Sequence, residues 1–143
     1  MYFKNKWFYA ALIWFFLGIY ALIFRENSGT HSPPFPHFDK FAHALLFFAQ
    51  IWLTAKIWLT QSRQPPYQAL WIFGLAYAII SELAQHFFTQ TRSGDIWDIG
   101  ADLLGTTLAL FLAKIRVSLW PKTSTKLESE ILYKKERKNS LKK

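Results

Sequence analysis

The feature that most constrains this chain is a run of 18 residues, Trp7 to Phe24, that carries no charge and is flanked by Lys4, Lys6 and Arg25. A helix rises about 1.5 Å per residue, so such a run is long enough to cross the hydrocarbon of a bilayer. A cleaved signal peptide would show a shorter apolar stretch, about 7–15 residues, followed by a small-residue cleavage site. Here the run passes directly into Arg25-Glu26-Asn27. The pattern therefore predicts an uncleaved membrane helix.

Three further stretches repeat the theme. Phe41 to Ala55 is uncharged and bracketed by Lys40 and Lys56, whose long side chains can reach toward the interfaces. Tyr67 to Phe88 holds one charge, Glu82, and Ile99 to Ala113 holds one, Asp102. None alternates with period two, so none reads as a strand. Breaker-rich segments separate them: Gly29, Pro33, Pro34 and Pro36, then Pro65-Pro66, then Thr89 to Gly94. The expected architecture is all-α, a membrane protein of four transmembrane helices at about 7–24, 39–59, 67–88 and 96–117. Residues 1–117 would form the membrane domain and 118–143 a basic tail.

Lys and Arg placement sets the orientation. With the N-terminus in the cytoplasm, Lys4, Lys6, Lys56, Arg63 and ten residues from Lys114 onward face inward, whereas Arg25, Lys40 and Arg92 face outward. This asymmetry predicts both termini cytoplasmic in a multi-pass membrane protein. Trp7, Trp58, Trp71 and Trp120 fall at the inner interface and Trp97 at the outer, whereas Trp14 and Trp52 fall mid-bilayer. The net charge of +8 belongs to topology and tail, so nucleic-acid binding is not implied. Absence of cysteine excludes disulfides, thiol nucleophiles and thiolate metal sites. No P-loop, dinucleotide or nucleophile-elbow motif is present.

The informative residues are polar groups at membrane depth, which are costly there and usually functional. In the expected topology Glu26, Asp39, Glu82, Asp95, Asp98 and Asp102 lie in the outer half, together with His31, His37, His43, His86, Gln85 and Arg92. Such a one-sided cluster predicts one outward-opening pocket. Asp39 reads as an N-cap of the second helix, and Asp39 and His43 stand at i, i+4 and can pair. Glu82 and Gln85 share a face of the third helix. Glu82, about 9 Å deep, calls for Arg92 or His43 as a cationic partner. Asp95 reads as a cap of the fourth helix. Asp98, Asp102 and Gly105 recur on one face, with Gly105 permitting close helix approach. Either Glu82 or Asp98 is expected to pair with Arg92 or Lys40. Glu82 and His86 stand at a spacing that places two ligands on one helix face, but it is common by chance, so neither a metal nor another cofactor is called for.

Three elements in order carry a resemblance: Asp39-Lys40-x-x-His43, Glu82-x-x-Gln85 followed by Arg92, and Asp98-x-x-x-Asp102-x-x-Gly105. Together they resemble the VanZ-like family of small bacterial membrane proteins over about residues 39–105. That family's pattern has Asn where this chain has Asp102, and a proline between the positions of Gln85 and Arg92 that this chain lacks. The resemblance implies four helices, a cell-envelope setting and a link to low-level resistance to teicoplanin, a lipoglycopeptide antibiotic. The pocket candidates are thus Asp39, Lys40, His43, Glu82, Gln85, Arg92, Asp98 and Asp102. The expected partners are membrane lipid and a lipid-linked envelope precursor or lipoglycopeptide. The alternative is a membrane-embedded enzyme acting on a lipid headgroup or cell-wall precursor. In it His43 or Glu82 would serve as general base, with Arg92 and Lys40 holding a phosphate.

Overall fold

The computed structural model describes residues 5–24, 35–89, 95–120, 131–135 and 137–138. Four helices, each long and apolar enough to cross a membrane, make up the body, and no strand occurs among the described residues. They are α1 (Lys6–Ile19, prolonged by a π-helical turn at Tyr20–Phe24), α2 (Phe38–Leu59), α3 (Tyr67–Phe88) and α4 (Ile96–Ser118). This architecture is that of a multi-pass membrane protein. Beyond Trp120, the described residues are Ile131–Lys135, Arg137 and Lys138, and they are helical.

Local chemistry explains the helix ends. The Asn5 side chain accepts from Trp7 N–H at 3.0 Å and starts α1. The Asp95 side chain accepts from Trp97 N–H at 2.9 Å and starts α4, as expected of a cap. Asp39 does not cap α2. The helix begins one residue earlier, at Phe38, behind His37 in the left-handed region (φ 60°), and Asp39 sits inside the first turn. Pro65 and Pro66 precede α3, where a missing N–H costs nothing.

Each helix buries one stripe. In α2 it runs through His43, Phe47, Gln50, Ile51 and Ala55. In α3 it runs through Gly74, Tyr77, Ala78, Ser81, Glu82 and Gln85, and in α4 through Asp98, Asp102, Gly105, Thr106, Ala109 and Ala113. The outward faces remain apolar, with Ile13, Phe16, Ile80, Leu83, Leu104 and Phe111 exposed. Such faces suit lipid rather than water.

The apolar core splits into two clusters. Ile51, Ala55, Leu70, Ala109, Leu110 and Ala113 pack α2, α3 and α4 together. Leu22, Phe47, Tyr77 and Ala78 join α1 to α2 and α3, with Phe47 stacked on Tyr77 at 4.8 Å between ring centres. Trp14, midway along α1, donates its indole N–H to the Leu46 carbonyl at 3.1 Å and so ties α1 to α2. At one end of the bundle Asn5 donates to the Ile57 carbonyl at 3.0 Å, and the Lys56 ammonium lies over the Trp7 ring at 4.7 Å.

Small residues decide how closely α2 and α4 approach. A Cβ built at Gly105 would fall on the carbonyl oxygen of Ala44, 2.9 Å from its carbon and 3.0 Å from Phe48 N. Only glycine allows this backbone-to-backbone contact. The contact lies three residues beyond Asp102, so it also draws Asp102 toward α2.

Candidate polar centre at one end of the bundle

The polar side chains gather at the end of the bundle opposite Asn5 and Lys56, in two connected layers. The outer layer is built around Lys40. Its ammonium donates to Asp95 Oδ2 at 2.8 Å, Asp98 Oδ1 at 3.0 Å and Asp39 Oδ2 at 3.3 Å. An ammonium has three donors, and all three are used. The expected pairing of Asp98 with Lys40 is therefore present. The Lys40 hydrogen bond, followed by the Trp97 N–H, holds the Asp95 carboxyl below the usual carboxylate range.

The inner layer is buried. His43 is 4% exposed, Glu82 5%, Gln85 2% and Asp102 0%. His43 Nδ1 and Asp102 Oδ1 stand at hydrogen-bond distance, 3.1 Å apart, and Glu82 Oε1 stands 3.9 Å from the same nitrogen. The other Glu82 oxygen, Oε2, accepts the backbone N–H of Asp95 at 2.9 Å. The segment leading into α4 thereby fixes the carboxylate of α3. Two buried oxygens, Glu82 Oε1 and Asp102 Oδ2, have no hydrogen-bond partner among the described residues. Buried carboxylates without partners are expensive, by several kcal/mol per ion in round terms.

Gln85 belongs to the frame of the site. Its Nε2 donates to the Leu22 carbonyl at 3.0 Å, within the π-helical turn that ends α1. Beside this link runs an apolar groove of about 230 Å³, lined by Phe15, Ile19, Leu22, Tyr77, Ser81 and Ala84 among others. Ser81 and Ala84 flank Glu82 and Gln85 in sequence, so the groove lies along the face of α3 next to the polar centre.

The structure thus brings Asp39, Lys40, His43, Glu82, Asp98 and Asp102 into one continuous cluster, with Gln85 at its edge and Gly105 setting the helix approach. Arg92 lies outside the described residues, as do Glu26 and His31. Two expected relations differ. Asp39 turns to Lys40 instead of His43, because Asp102 comes within reach of the imidazole from α4. His86 is exposed and takes no part in the cluster, since a four-residue step from Glu82 rotates it off the buried stripe. Asp95 is the cap of α4 that the sequence predicts. Its carboxylate also binds Lys40 of α2 and its N–H binds Glu82 of α3, a double role created by the packing of both helices against the start of α4.

Among the described residues the centre holds five carboxylates, one ammonium and one imidazole. It is an acidic site. With all its donors taken by carboxylates, Lys40 has none free to hold a phosphate. A hydrogen-bond donor or a cation suits the open oxygens better than an anion does. Compared with family models, curated proteins and solved structures, the chain matches none.

Proposed function

We propose that this is a VanZ-like protein of the bacterial cell envelope, with both termini cytoplasmic and the polar centre facing the outer side of the cytoplasmic membrane. Its role is to engage the polar part of a lipid-linked precursor or lipoglycopeptide and so to lower susceptibility to teicoplanin-type glycopeptides. The observation that carries this reading is the pair of buried, unpartnered carboxylate oxygens on Glu82 and Asp102 at one end of the bundle. A membrane protein keeps such costly groups where a ligand completes them. The acidity of the site favours an amine, amide or hydroxyl donor on the ligand. The adjacent apolar groove has the size and lining to receive part of a lipid chain.

The test is susceptibility to teicoplanin beside vancomycin in a sensitive host, with wild type and Glu82→Gln at matched membrane abundance. A teicoplanin-selective gain that the variant loses supports the reading. A variant that protects as well as wild type contradicts it.

The His43–Asp102 pair favours a second reading. A carboxylate that orients an imidazole is an arrangement suited to general-base catalysis. On that reading the protein is a membrane-embedded enzyme acting on a lipid headgroup or cell-wall precursor, and the purified chain turns over labelled envelope lipids.

A further inference from the structure

We infer that His43, Glu82 and Asp102 form a binding site for a divalent transition cation of the Zn²⁺ type, which shares its two open carboxylate oxygens with the proposed ligand pocket but does not require the glycopeptide role. Each offers one ligand atom, and these atoms lie within 4.8 Å of one another in a fully buried group. The His43 Nδ1 to Asp102 Oδ1 distance is 3.1 Å, and Nδ1 to Glu82 Oε1 is 3.9 Å. Zinc bonds of about 2.0–2.2 Å place tetrahedral ligand atoms roughly 3.3–3.5 Å apart. Glu82 Oε1 closes the remaining gap by pivoting about the Oε2 contact with the Asp95 N–H.

The second, independent observation is the state of the oxygens. Glu82 Oε1 and Asp102 Oδ2 are buried without a hydrogen-bond partner among the described residues. Lys40 does not neutralise either carboxylate, because its three donors go to Asp39, Asp95 and Asp98. Two buried carboxylates therefore face one imidazole, and no other cation among the described residues pairs with either of them.

The surroundings hold the ligands as a metal site requires. The Asp95 N–H fixes Glu82 through Oε2, an outer contact of the kind that orients a ligating carboxylate. Close approach at Gly105 sets the position of Asp102. One nitrogen and two carboxylates suit Zn²⁺ or Mn²⁺. Calcium, which takes about 6–8 oxygens, is a poorer match. Three protein ligands leave a coordination position open to a ligand of the pocket.

The test uses the full chain, free of any affinity tag, purified in detergent, stripped with chelator and titrated with Zn²⁺ against a chromogenic competitor. One equivalent of Zn²⁺ should bind. His43→Ala and Glu82→Gln should each weaken binding by at least about 100-fold, at or beyond the upper end of losses seen for outer contacts. His86→Ala, at an exposed position, should leave it unchanged. Absence of stoichiometric Zn²⁺, or binding that survives both substitutions, overturns the site. So does loss on His86→Ala. Should the variants fail to fold, the wild type loaded with Co²⁺ decides. A four- or five-coordinate spectrum supports the site, and a spectrum of the free hydrated ion overturns it.

Discussion

Replacing Gly105 with Ala tests whether backbone contact between α2 and α4 builds the polar centre. The new methyl group would fall on Ala44 O and lie 2.9 Å from Ala44 C and 3.0 Å from Phe48 N, where ordinary contact begins near 3.4 Å. These are backbone atoms and cannot rotate aside, so the helices must part by about half an ångström or more. Overpacking of this kind costs typically ~1–3 kcal/mol. Loss of the His43–Asp102 hydrogen bond adds ~1 kcal/mol. The better helix propensity of alanine returns up to ~1 kcal/mol. The net expectation is a destabilisation of about 1–3 kcal/mol, or roughly 5–150-fold in the folded-to-unfolded ratio. Unfolding in mixed detergent–SDS micelles, followed by tryptophan fluorescence, measures it. Gly100→Ala is the control, because nothing lies within 4 Å of a Cβ there. Equal stability of Gly105→Ala and Gly100→Ala would refute the argument.

Three further outcomes are expected. Lys40→Met strands Asp39, Asp95 and Asp98 beside one another. With Lys40 27% and Asp98 11% exposed at the side chain, the cost falls between that of exposed and buried pairs, about 1–3 kcal/mol, readable in the same unfolding assay. Asp95 has its folded pKa lowered from 3.8, so its contribution is present above that value and lost as pH falls below it. Asp95→Asn should therefore flatten the loss of stability in that acid range, and an unchanged acid profile would contradict this. The chain has no cysteine. With the proposed topology, Ile96→Cys reacts with an impermeant maleimide in intact cells and Gln64→Cys only after permeabilisation, whereas the reverse pattern inverts the orientation.

The helices were legible in the sequence because lipid permits little else. Expected spans of 67–88 and 96–117 compare with Tyr67–Phe88 and Ile96–Ser118. Uncharged length, flanking lysines and Pro65-Pro66 carry that information locally. The gathering of polar residues was legible too, since they share the same end of successive antiparallel helices. Their pairing was not. Asp39 and His43 suit each other by spacing on one helix, yet the geometry between helices gives Asp39 to Lys40 and His43 to Asp102. That choice depends on how closely Gly105 meets Ala44, a distance no spacing rule supplies. The π-helical turn at Tyr20–Phe24, and the Leu22 carbonyl that Gln85 finds there, left no mark in the residue pattern.

The central claim is that the buried cluster of His43, Glu82 and Asp102 works as one unit in the protein's function. A double-mutant cycle on teicoplanin susceptibility tests it most directly, with His43→Gln, Glu82→Gln and the pair at matched membrane abundance. Either substitution alone should remove most of the protection, and the second should add little. Independent, additive losses, or full protection by the double variant, would contradict it.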